Sequence, residues 1–193
     1  MEPNSKETND GFKIDYYKWF KDGKGNRDPI FKEVLSLFNK QPIDILEIGT
    51  MRSIDERSSG GASTFFWAEY IKNYGGELHI CDTSQDALNF SYNALKGFFD
   101  YAMFYKDTGL NFIRNFSPKK WDLVLLDGSD DPKEMLEEFK AVNAKAILCD
   151  DFYTKGAYLR EKYPNFKLYK WKNCSHEMAL YGVNQVVFME PIV

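Results

Sequence analysis

Residues 43–64 read IDILEIGTMRSIDERSSGGAST, and this stretch decides the fold. Ile43, Ile45, Leu46 and Ile48 form a short apolar run that Gly49 breaks. That is the pattern of a strand buried on both faces, as in a parallel sheet covered by helices. Glu47 is the exception, an acid whose burial is costly unless it is paired or reaches the strand's end. Gly49 permits a tight turn or a close backbone approach to a ligand. Gly60, Gly61 and Ser63 lead into FFWAEYI at 65–71, which reads as a helix start. Free N–H groups at such a start suit an anionic or polar ligand. Strand, acid, glycine, loop, small residues and helix together outline a nucleotide-type pocket.

On the N-terminal side, residues 1–11 read as a polar tail. Residues 12–20, FKIDYYKWF, predict a helix that packs Ile14, Tyr17 and Phe20 on the domain. Asp28 and Pro29 open a second helix through Phe31, Val34, Leu35 and Phe38, and Gln41-Pro42 ends it. On the C-terminal side, Gly75-Gly76 stops the helix of 65–74. A second strand over 78–81 then ends in Asp82. Ser84 caps a helix over 85–96, and a third strand follows at 101–105 with Asp107-Thr108-Gly109 after it. WDLVLLDG contains the clearest strand, closed by Asp127-Gly128, and Pro132 opens the next helix. AKAILCDD is a fifth strand closed by Asp150-Asp151, followed by a helix over 154–162. Residues 166–171 and 185–189 predict a terminal hairpin-like pair.

Strands alternating with helices predict an α/β fold with a doubly wound, Rossmann-like, mainly parallel seven-stranded sheet and helices on both faces. Residues 1–42 form a tail and short helical extension, and residues 43–193 the binding domain. Ligands in such sheets sit at the carboxyl ends of the strands. Glu47, Asp82, Asp107, Asp127 and Asp150 all mark that edge.

Composition narrows the function classes. A chain of 193 residues with 44% hydrophobic content suits one globular domain. Mean hydropathy of −0.49 and the lack of a long apolar run speak against a membrane partner. Net charge −4 and pI ≈ 5.3 speak against duplex nucleic acid. Cys81, Cys149 and Cys174 lack metal-ligand spacing and read as small buried residues of a reducing compartment, with the cytoplasm as default. Any homodimer is left open.

E-I-G-T, then G-A-S-T, then Asp82 at the end of the next strand resembles the class I S-adenosylmethionine-dependent methyltransferases. The small-molecule O-methyltransferase branch is the nearest, with residues 51–60 as a lengthened loop. The resemblance implies a cofactor site of Glu47, Gly49, Gly61, Ser63, Asp82, Asp107 and Asp127. An acid ending the second strand can accept hydrogen bonds from both ribose hydroxyls. Dinucleotide enzymes use the same device, but G-x-G-x-x-G is missing and Asp82 lies 33 residues after Gly49.

Asp127 and the pair Asp150-Asp151 should be neighbours in the sheet, and such crowding calls for a cation or a raised pKa. Oxygen-only ligands suit Mg²⁺. The resemblance to catechol and macrolide-sugar O-methyltransferases implies the same ion, chelating acceptor oxygens and assisting their deprotonation. Related enzymes often carry His or Lys where this chain has Asp130. Asp130 and His176 are therefore both candidates for the catalytic base. The expected function is O-methylation of a small molecule. A nicotinamide-dependent oxidoreductase and a non-enzymatic binding module are the rivals.

Overall fold

The computed structural model describes residues 15–57, 62–96, 101–170 and 177–182. Helices α1 (Tyr16–Asp22) and α2 (Asp28–Ser36) precede β1 (Ile43–Ile48). After β1 come α3 (Ser63–Tyr74), β2 (Gly76–Asp82), α4 (Gln85–Leu95) and β3 (Ala102–Lys106). The second half contains α5 (Gly109–Asn115), β4 (Trp121–Leu126), α6 (Pro132–Ala141) and β5 (Ala144–Cys149). It ends with α7 (Ala157–Lys162), β6 (Lys167–Lys170) and β7 (Glu177–Gly182).

The sheet has seven strands in the order β3-β2-β1-β4-β5-β7-β6, and β7 runs antiparallel to both of its neighbours. The expected doubly wound α/β architecture is therefore present. One expectation shifts: the partner of β6 is Glu177–Gly182, in a region read from sequence as loop. Residues 185–189, predicted as that strand, lie outside the described residues. The run EMALYG alternates weakly, so its apolar content did not stand out beside QVVFM.

The period-two direction of strand side chains divides the core. Ile45, Leu78, Ile80, Leu123, Leu125 and Leu148 meet Phe31, Phe65 and Trp67 on one face. Leu46, Ile48, Val124, Leu126 and Cys149 meet Phe112, Phe139 and Phe152 on the other. The aromatic N-terminal segment is helical from Tyr16, after Asp15 caps it by accepting from Lys18 N at 3.0 Å. Its packing differs from the expected set. Phe20 stacks on Phe65 at 4.9 Å and Tyr16 sits edge-on to Phe90 at 5.8 Å, whereas Tyr17 is exposed. Ile14 lies outside the described residues.

His79 of β2 is a structural side chain packed among aromatic rings. It stacks on Tyr105 at 5.6 Å and lies edge-on to Trp121 at 4.9 Å. Burial lowers its pKa below the ordinary histidine value. No helix among the described residues is long and apolar enough to cross a membrane.

Two parallel strands can start side by side here because Gly76 takes φ +109°. A Cβ on it would come within 1.8 Å of the Ile43 carbonyl oxygen. Gly76→Ala is expected to cost at least about 1–3 kcal/mol from the backbone conformation alone, read as a lower urea midpoint.

Candidate functional site

The strand ladder continues past the strands at their carboxyl edge. Gly49 N donates to Cys81 O at 2.9 Å, Asp127 N to Ile48 O at 2.8 Å, and Asp150 N to Leu126 O at 3.0 Å. These bonds bring the first turns after β1, β2, β4 and β5 into contact. Gly49, at φ +84°, makes the approach possible, since a Cβ there would lie 2.6 Å from Asp127 O.

Glu47 is fully buried at the end of β1. Its Oε1 accepts from Ser63 Oγ at 2.5 Å and from Trp67 Nε1 at 3.1 Å. Its Oε2 accepts from Thr64 Oγ1 at 2.7 Å and lies 3.5 Å from Thr50 Oγ1. Burial raises its pKa to about 7, against the lowering effect of the Ser63 and Thr64 hydroxyls. Glu47 thus fastens the end of β1 to the first turn of α3. Its oxygens are engaged there, away from the cleft described next.

That cleft, of about 160 Å³, opens over the ends of β1, β2, β3 and β4. Ile48, Gly49 and Gly128 line it together with Asp82, Asp107, Gly109, Ser129, Glu134 and Glu138. Asp82 accepts from Thr50 N at 3.0 Å through Oδ2 and from Ser84 N at 2.7 Å through Oδ1. Each carboxylate oxygen has two lone pairs, so one on each remains for a ligand. Asp107 Oδ1 accepts from Thr108 N at 2.8 Å, at the start of α5. No Lys, Arg or His is among the described residues that line the cleft. A larger groove, about 510 Å³, runs between α2 and α3 beside Phe66, Tyr70 and Tyr74, away from the carboxyl edge.

Asp127, Asp150 and Asp151 come together as expected, each offering an oxygen within 4.8 Å of the others. Sequence reading missed what neutralises them. Arg27, at the N-cap of α2, pairs with Asp150 and lies 3.5 Å from Asp151. Lys155 Nζ lies 2.9 Å from Asp127, 3.3 Å from Asp130 and 3.7 Å from Asp151. Arg27 and Lys155 are both buried. Burial alone would lower the Lys155 pKa, but Asp127, Asp151 and Asp150 together raise it above the ordinary lysine value. Burial, then the Asp127 charge, pushes the Asp150 pKa up, while Arg27 opposes this. Asp151 takes the left-handed conformation, φ +44°, and its carbonyl receives Thr154 N and Lys155 N. That turn swings Lys155 back onto the cluster. The spacing of Lys155, four residues after Asp151, was the available sequence signal. Arg27 gave none, because its partner lies 123 residues away.

Asp130 is fully exposed beside Lys155, and its neighbour Asp131 caps α6 by accepting from Lys133 N at 2.9 Å. Cys81 and Cys149 are buried, and burial pushes the Cys81 thiol up to about 12. Neither is a thiolate at neutral pH. Gly61, His176 and Cys174 lie outside the described residues.

Comparison with known proteins now bears on this site. A scan against family models finds no match, and a search of curated proteins finds none. Solved structures do match. The S-adenosylmethionine-dependent O-methyltransferase of Thermotoga maritima aligns with TM-score 0.59 and 10% identity, over 79% of this chain and 64% of that one. Human methyltransferase-like protein 13, in complex with S-adenosylhomocysteine, aligns with TM-score 0.58 and 13% identity, over 82% of each chain. The bifunctional kinase-methyltransferase WbdD aligns with TM-score 0.56 and 15% identity. That match covers 81% of this chain, which spans about two fifths (39%) of WbdD. These likenesses define the fold as the Rossmann-like α/β fold of the class I methyltransferases.

Glu138 of α6 is buried and raised from 4.5 to about 7, by burial first and then by Glu134. A carboxyl whose native pKa is raised is destabilising once deprotonated, so its contribution falls away as pH rises from about 4.5 through 7. Glu138→Gln is expected to raise stability at pH 8 by about 1–3 kcal/mol relative to wild type, and little at pH 4.5. Thermal melts of both proteins across that range check it.

Proposed function

We propose that this protein is an S-adenosylmethionine-dependent methyltransferase acting on an oxygen of a small molecule such as a sugar, polyol or phenol. The observation that carries this reading is the charge of the cleft: it is lined by Asp82, Asp107, Glu134 and Glu138 and, among described residues, by no cation. A dinucleotide brings a pyrophosphate, which four carboxylates repel. Adenosine linked to a sulfonium brings hydroxyl and amino donors and a positive charge, all of which such a lining favours. The fold supports the same choice.

When bound, S-adenosylmethionine supplies an electrophilic methyl group, which passes to the acceptor oxygen and leaves S-adenosylhomocysteine. The chain's own residues hold and orient the partners. In this reading Gly49 lets the backbone approach, Asp82 receives the ribose diol and Asp107 receives the base. Glu47 and Ser63 serve by fixing the turn between β1 and α3. Gly61 is a further cofactor residue that the sequence resemblance implies. Asp130 is an exposed carboxylate able to accept the acceptor's hydroxyl proton, and His176 is the alternative base.

The Mg²⁺ expected from the carboxylate triad meets a filled donor set. Asp127, Asp150 and Asp151 form charge pairs with Arg27 and Lys155, so a divalent ion bound there would have to displace these cations. No step proposed here depends on one. Lys155→Met is expected to lower thermal stability, because removing one partner of a buried charge cluster costs about 3–5 kcal/mol. Mg²⁺ should raise the Tm of that variant while leaving the wild type unmoved. A wild-type protein that EDTA inactivates and Mg²⁺ restores would return the ion to the mechanism.

Calorimetric titration tests the cofactor. S-adenosylhomocysteine should bind at micromolar strength and NADH should not. Asp82→Ala should weaken the former at least about tenfold, the equivalent of losing roughly 1.4 kcal/mol. Undiminished binding by Asp82→Ala, or preference for NADH, would sink the reading.

A further inference from the structure

Glu138 stands apart from the other acids of the carboxyl edge. It is only 4% exposed, yet it lies on α6 and belongs to no strand-end turn. Among the described residues it accepts no hydrogen bond, whereas Glu47, Asp82, Asp107, Asp127 and Asp150 each accept at least one. Its oxygens open onto the cleft and are not sealed in the core, so a ligand there can supply the donor that the protein does not.

Its position says what the donor is. Glu138 lines the 160 Å³ cleft beside Gly109, and Asp82 at the end of β2 lines the same cleft. A Cβ on Gly109 would come within 2.2 Å of Glu138 Oε1, so the absence of a side chain there admits the carboxyl. Asp82 and Glu138 thus line one space together with the Asp107-Thr108-Gly109 turn. With Asp82 on the ribose, as the proposed function has it, the base extends toward the Gly109 side. The donors a purine offers there are those of an exocyclic amino group.

We propose that Glu138 is a specificity-determining ligand of the cofactor's base, accepting from the 6-amino group of adenine and so selecting adenosine over a 6-keto purine nucleoside. The inference rests on the methyltransferase reading of the cleft. It assigns a contact from α6 to a ligand otherwise held by strand-end loops. A carbonyl at position 6 would oppose an oxygen to an oxygen, and discrimination follows from that repulsion as much as from the lost bond.

The test compares S-adenosylhomocysteine, S-inosylhomocysteine and the N6,N6-dimethyl derivative of S-adenosylhomocysteine by calorimetry, on the whole chain. Wild type should prefer S-adenosylhomocysteine to each of the other two by at least about tenfold. Glu138→Gln presents an amide that can donate to a 6-keto oxygen as well as accept from an amine, so the preference over S-inosylhomocysteine should collapse to within about threefold. A merely structural role would weaken all three ligands alike and leave the ratios unchanged. A wild type that binds the dimethyl derivative as well as S-adenosylhomocysteine overturns the inference without any variant. So does a folded Glu138→Gln protein with wild-type ratios. If wild type binds none of the three, the methyltransferase reading itself fails, a result distinct from both.

Discussion

A carboxylate sealed inside a sheet must be satisfied completely or it unfolds the strand around it. Glu47 is that carboxylate here, and its satisfaction organises the turn on which the site depends. Each of its donors is supplied by a neighbour of fixed geometry: Ser63, Thr64 and Trp67 from the start of α3, with Thr50 just after the strand. Thr50 Oγ1 also meets Thr64 Oγ1 at 3.0 Å and Ser91 Oγ at 2.8 Å, which carries the network on to α4. The end of β1 is thereby held to two helices at once. Thr50 N, pinned in the same turn, donates to Asp82, so the first and second strand ends are set relative to each other.

Electrostatics divides the carboxyl edge into two unlike regions. Over β1, β2 and β3 the acids face a cleft lined by no described cation. Over β4 and β5 a comparable density of acid is neutralised internally by Arg27 and Lys155. Two carboxylates 4 Å apart repel by about 4 kcal/mol at an effective dielectric near 20, so both regions are under the same pressure. The second relieves it with its own side chains. The first leaves it to a ligand rich in donors.

How much of this was legible in the sequence depends on the range of each interaction. The fold was, because strand burial writes itself locally: IDILEI and WDLVLL are apolar runs ended by acid or glycine whatever they contact. The convergence of Asp127 with Asp150 and Asp151 was legible too, since adjacent parallel strands end level. Arg27 was not, since one residue of a polar loop gives no local sign of a partner 123 residues on. Glu138 was hidden for a different reason. In PKEMLEEFKA it is one of three glutamates on a helix, and only packing against Gly109 distinguishes the buried one. The role of Glu47 was half legible: the cost of its burial was plain, but its donors came from the opening turn of α3 and not from a cofactor.

The strand order has a consequence for the nascent chain. β1 lies between β2 and β4, but β4 is made some 70 residues after β1 ends. Through that interval β1 has one edge open and apolar side chains on both faces, the combination most prone to pairing with another chain. The same holds for β5, whose outer edge is covered only when β7 returns past β6. Synthesis therefore runs from the central β1 out to the edge at β3, then back to β4 and β5 and on to a late closure by β7. The seam between β1 and β4, where Gly49 meets Asp127, is where a slow or interrupted chain is most exposed to aggregation.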